Sequence, residues 1–128
     1  MIWLESIKER PADLRTKANA AWDRSVYVWR AWYGSLTGYD NHIAFLGLVP
    51  LDFITKRGYW WIELADPAPT RAILREAKML FPQLDAALGW ETFAHTEVSN
   101  PKAARFAEFF GFRLMGQHDN TLYFKGAK

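Results

Sequence analysis

Asn100-Pro101-Lys102-Ala103-Ala104-Arg105-Phe106-Ala107-Glu108-Phe109-Phe110-Gly111-Phe112 is the stretch on which the fold turns. Asn is a preferred helix cap, and Pro fits the first helical turn, where its missing N–H has no intrahelical partner to lose. Ala103, Ala104, Phe106, Ala107 and Phe110 recur at helical spacing and supply a packing surface, and Gly111 ends the helix. Glu91–Val98 before it and Phe112–Gln117 after it read as strands. Thr121–Phe124 is a further strand, reached through a hairpin turn at His118-Asp119-Asn120.

Working back from this stretch, Thr70 to about Leu88 is the clearest helix, with Ile73, Leu74, Ala77, Leu80, Phe81 and Leu84 on its packing stripe. Pro82 inside it predicts a kink or a split into two pieces. Tyr59–Leu64 is a strongly apolar strand expected near the sheet centre, and Asp66-Pro67-Ala68-Pro69-Thr70 breaks it. Ser25–Tyr33 and His42–Val49 read as an antiparallel pair joined by a loose loop. Pro11 to about Trp22 reads as a first helix, with Leu14, Ala18, Ala21 and Trp22 on one stripe. The expected order is αβββαβαββ, an α+β fold in which helices flank a mixed sheet of about six or seven strands.

The Asn100–Phe112 stretch resembles the N-x-x-A-x-(R/K)-φ-(Y)-x-x-x-G-F signature of the GNAT superfamily of acetyltransferases. Like that signature, it follows one strand and precedes another. The element order from Ser25 to the C-terminus is similar as well, and the chain looks like short acetyltransferase-like proteins of tailed bacteriophages. The resemblance implies a single GNAT-like domain using acetyl-CoA or coenzyme A as co-substrate. In that family the strands corresponding to Tyr59–Leu64 and Glu91–Val98 lie parallel and splay, so that free backbone groups pair with the pantetheine arm. By the same resemblance Leu64 and Ala65 sit beside the pantetheine. Ala68, Thr70, Arg71 and Ala72 sit beside the pyrophosphate, where a helix start offers unsatisfied N–H groups and a positive dipole end. Asn100, Ala103 and Arg105 are implied cofactor neighbours, with Lys102 a further cation.

Two positions depart from the family. Its phosphate loop reads (Q/R)-x-x-G-x-(G/A), whereas this chain has Ala65-Asp66-Pro67-Ala68-Pro69-Thr70, with no glycine, an added acid and a proline that lacks an N–H. The Arg71 guanidinium and the Thr70 hydroxyl can compensate in part. The family's usual general-acid Tyr is replaced by Ala107, a rate penalty of ~10²–10⁴-fold by the usual size of acid–base effects. Tyr123, Tyr39 and His118 are candidate replacements. Glu63, beside the thioester by resemblance, is the candidate base, with His95 and Glu97 on one face of the neighbouring strand. Each has a plainer reading: Glu63 as a half-exposed strand residue, His95 as a structural histidine, Asn100 as a helix cap, Lys102 and Arg105 as solvated cations.

Composition removes other classes. The chain has 128 residues, enough for one core. Half of them are apolar and 23% charged, which excludes collagen, coiled coil and disordered tail. With 16 basic and 14 acidic residues dispersed along it, the chain lacks the basic patch of a nucleic-acid module. Three scattered His and no Cys give no metal signature. No apolar run approaches the ~20 residues of a membrane span, and the N-terminus lacks an apolar signal region, so a cytoplasmic setting (a host cytoplasm if phage-encoded) is expected. Seven Trp are expected chiefly to fill the core. The expected activity is acyl-CoA-dependent N-acyl transfer to an amine, on a small molecule or a host protein, and GNAT-like domains often form homodimers. The alternative is an inactive interaction or virion protein that kept the fold, with Trp29, Trp32, Tyr33 and Tyr39 as a partner surface.

Overall fold

The computed structural model describes residues 1–15, 21–34 and 40–126. Its strands are β1 (Ile2–Ser6), β2 (Tyr27–Gly34), β3 (Asp40–Asp52), β4 (Arg57–Leu64), β5 (Glu91–Glu97), β6 (Arg113–His118) and β7 (Thr121–Lys125). Helix α1 (Arg71–Leu88) lies between β4 and β5, and helix α2 (Pro101–Phe109) between β5 and β6. The seven strands form one sheet in the order β1-β2-β3-β4-β5-β7-β6. β4 and β5 are parallel, as a helical connection requires. The β1–β2, β2–β3, β5–β7 and β6–β7 pairs are antiparallel.

Four expectations need correction. A strand, not a helix, opens the chain: β1 pairs Ile2–Ser6 with Trp29–Tyr33. The first helix does not begin at Pro11, because Pro11–Arg15 is turn and irregular backbone. The Leu14 N–H closes only a turn onto the Pro11 carbonyl, and the Arg15 N–H donates to the Glu63 carboxylate instead of continuing a helical ladder. Ala21 and Trp22 are helical, and residues 16–20, which the expected helix also covered, lie outside the described residues. Finally, α1 runs through Pro82 as one element rather than splitting. Proline removes one ladder bond, and Phe81 packing on Phe110 and Phe112 at ring-centroid distances of 5.6 and 5.8 Å helps hold the helix in place there. Leu80, expected on the packing stripe, is 37% exposed.

Two compact units can be separated within the chain, Met1–Pro50 with Trp60–Ala77, and Leu51–Tyr59 with Lys78–Lys128. In the first, Phe45 and Leu48 are buried completely or nearly so, joined by Leu14, Val28, Ile43 and Trp60. Each such side chain contributes about 1.5–3 kcal/mol by leaving water. Gly47 is required by a close approach: a Cβ there would lie 2.5 Å from the Trp61 indole, whose Nε1 donates to Ser25 Oγ at 2.7 Å. Trp29, Trp32 and Tyr33 are half-buried, and Trp3 of β1 stacks on Trp32 at 5.8 Å. Tyr39 lies outside the described residues.

The second unit is centred on Phe124, Phe112, Trp90 and Ala107. A buried polar pair joins α1 to β5, with Thr92 Oγ1 donating to Asp85 Oδ1 at 2.8 Å. Gly111, at φ +94°, adopts the left-handed backbone that ends α2 where the sequence placed its end.

Candidate functional site

The first unit carries the end of β4, the loop after it and the start of α1. Ala65 donates its N–H to the Ile43 carbonyl at 2.9 Å, so its amide faces β3. Strand amides alternate in direction, and the Leu64 carbonyl therefore sits on the opposite edge of β4. That carbonyl accepts a hydrogen bond from the Arg15 guanidinium. Glu63, with only 10% of its side chain exposed, is held by the same residue: the Arg15 backbone N–H donates to Oε1 at 3.1 Å and Oε2 at 3.2 Å, and Arg15 Nε lies 3.4 Å from Oε1. Glu63 is thus a fixed, ion-paired carboxylate rather than a half-exposed strand residue.

The loop then turns into α1. Thr70 is the cap, with Oγ1 accepting from Ile73 N–H at 3.4 Å and its carbonyl accepting from Leu74 N–H at 3.0 Å. The amides of Arg71 and Ala72 precede the first bond of the helical ladder and remain outside it. Arg71, Ala72, Ala68 and Asp66 are exposed, and the first turn contains no acid. Two amides, the dipole end and the exposed Arg71 share one turn, a donor set that suits one phosphate group. The rest of the loop fits a second phosphate less well, since it has no glycine and Pro69 donates nothing.

Beside Glu63 the first unit holds a network that the sequence did not suggest. Arg30 Nη2 pairs with Asp13 Oδ2 at 2.7 Å, and Arg30 Nε donates to His42 Nδ1 at 3.1 Å. The Arg30 guanidinium also lies over the rings of Trp32 and Phe45, at 4.4 and 4.9 Å. Because Nδ1 accepts, the His42 proton sits on Nε2. Burial and then the Arg30 charge hold its pKa below the usual value, while the Asp13 and Glu63 charges push the other way. The only trace of this network in the sequence is the charge–apolar–charge run Asp13-Leu14-Arg15.

The second unit brings together His95 and Tyr123, which face each other in the β5–β7 register with ring centroids 6.4 Å apart. Tyr59 lies on the other side of His95 at 4.9 Å, completing an aromatic row that sequence reasoning missed. Phe93 stands two residues before His95 in β5 and pairs with Tyr59, so the strand register held the signal for that row. Asn100 is a helix cap: Oδ1 accepts from Ala103 N–H at 3.2 Å. Lys102, Arg105 and Glu97 are exposed, and Ala107 is buried, so a larger acid there would have to displace neighbours. His118 lies at the β6–β7 turn with 81% of its side chain exposed, 3.5 Å from the Asp119 carboxylate. Among the described residues no group of three or more His, Cys, Asp or Glu is arranged to hold a metal ion, and no helix is long and apolar enough to cross a membrane.

No protein-family model matches the chain, and no curated protein does. Solved structures do. A domain from Methanocaldococcus jannaschii DSM 2661 is similar with a TM-score of 0.69 at 12% identity, over 98% of this chain and 97% of that one. A K23-Q34 chimera of the spermidine N-acetyltransferase SpeG from Vibrio cholerae and hSSAT is similar with a TM-score of 0.64 at 12% identity, over 98% of this chain and 94% of that one. A K23-Y30 chimera of the same proteins is similar with a TM-score of 0.52 at 18% identity, over 77% of this chain, which spans 63% of the chimera's length. At such identities the likeness is one of fold: the mixed seven-stranded sheet and its helices are GNAT-like.

Proposed function

We propose that this protein is an acyl-CoA-dependent N-acyltransferase, moving an acetyl group to an amine. The observation that carries the reading is the parallel β4–β5 ladder, which runs over only Arg57–Tyr59 and Glu91–Phe93 before a helix start with two unladdered amides and Arg71. This arrangement supports coenzyme A because a strand edge can pair with the amides of its arm while the helix start takes a phosphate. When bound, acyl-CoA supplies the activated acyl group. The Leu64 backbone would orient the arm, and the Arg71 side chain and amide would hold phosphate. Glu63, fixed by the Arg15 amide, would accept the amine proton directly or through water. In the second unit, Tyr123 stands as a candidate general acid and His95 as a second candidate base. The proposal extends to a cytoplasmic setting (a host's if the chain is phage-encoded) and to an acceptor that is a small or protein-borne amine.

Binding of acetyl-CoA and of coenzyme A, measured by calorimetry with Thr70→Glu and Arg71→Glu alongside, tests this reading. Heat with wild type that disappears in both variants is the expected result. No heat and no thermal shift at millimolar ligand would sink it. A second reading, a cofactor-free interaction protein, is favoured by one specific observation: Arg15 already occupies both the Leu64 carbonyl and the Glu63 carboxylate.

A further inference from the structure

Both groups that the proposed reaction needs at the end of β4 are in the grip of one side chain. We infer that the Arg15 side chain is a displaceable gate on acyl-CoA binding, an inference that rests on the transferase reading above. In the closed state its guanidinium fills the edge of β4 by donating to the Leu64 carbonyl, and its Nε sits 3.4 Å from Glu63 Oε1. An incoming arm amide has to take that carbonyl, and an incoming amine has to reach that carboxylate. The guanidinium competes with both.

The local construction lets the side chain go without the backbone. Leu14 is 6% exposed and packs with Phe45, pegging the segment into the core. Asp13 ties the segment to Arg30 at 2.7 Å. The Arg15 amide bonds to Glu63 belong to the pegged backbone, so they stay and keep the carboxylate aimed. The side chain is 54% exposed on a flexible stem, so water can replace its contacts at low cost. The closed state therefore competes with ligand by about one exposed charge-assisted hydrogen bond.

Calorimetry with acetyl-CoA on the full-length Arg15→Ala chain tests the gate. Removing a competing hydrogen bond of ordinary net strength predicts affinity tighter by about two- to tenfold. Arg15→Met, which keeps the apolar stem, repeats the measurement should the alanine chain melt early. Affinity unchanged or weaker in both variants, with wild-type binding still abolished by Arg71→Glu, overturns the gate and leaves the transferase reading standing. No heat from wild type or either Arg15 variant overturns both.

Discussion

The two helix starts look alike and differ in one atom group. Each is capped by a side-chain oxygen that accepts from the third residue on: Thr70 from Ile73 at 3.4 Å, Asn100 from Ala103 at 3.2 Å. Each has a proline beside its cap, but on opposite sides. Pro69 precedes the cap of α1, which leaves the Arg71 and Ala72 amides free to donate. Pro101 follows the cap of α2 and removes one of those donors. The α2 start keeps the Lys102 amide and its cation, one donor against the two beside Arg71 at α1, and the number of spare donors sets how well a helix start can take an anion. The better match to a family signature, Asn100–Phe112, thus opens on the helix start with fewer spare donors, and the poorer match, Ala65–Thr70, precedes the one with more.

The largest expected effect separates the two ends directly. Arg71→Glu should weaken coenzyme A binding by at least ~10-fold, the order of one lost charge-assisted contact plus a new repulsion. Lys102→Glu, the matching change at α2, should leave it within about twofold. The Arg71→Glu melt should stay at or above wild type, since an acid in the first turn suits the dipole. Equal losses at both ends, read by calorimetry, would erase the distinction.

Next, Asn100→Ala should cost about 1 kcal/mol of stability by denaturant titration and leave coenzyme A affinity unchanged. Thr70→Ala should cost less, about 0.5 kcal/mol, because its bond is longer and its helix keeps other anchors. A larger loss at Thr70 than at Asn100 would reverse that order. The smallest effect lies outside both helices. Burial and the Arg30 charge hold the His42 pKa down. Below pH about 6.5 the unfolded chain therefore binds a proton that the folded chain resists. Stability should fall as pH drops through that range, and His42→Gln should flatten the profile.

Elements with a local signal were legible. The helix through Asn100–Phe112 has its cap, its apolar stripe and its terminating glycine within 13 residues, and the six strands after β1 overlap the apolar runs read for them. What escaped was long-range. β1 exists because Ile2–Ser6 finds Trp29–Tyr33, 23 to 31 positions on, and nothing in Met1-Ile2-Trp3-Leu4-Glu5 announces that pairing. Glu63 could be picked from its strand position, but its state depends on Arg15, 48 residues earlier. His95 and Tyr123 could be named separately, yet only the β5–β7 register sets them face to face.

One feature of the first unit bears on how this sequence can change. The Trp61 indole lies where a side chain on residue 47 would have to begin, 2.5 Å from it. Positions 47 and 61 are consequently one choice written in two places. While tryptophan stands at 61, each residue other than glycine at 47 collides with its ring. Once 61 shrinks, glycine at 47 leaves a hole above the strand. Viable variants of this chain should carry the two changes together, and a library randomised at both positions should return them as linked pairs.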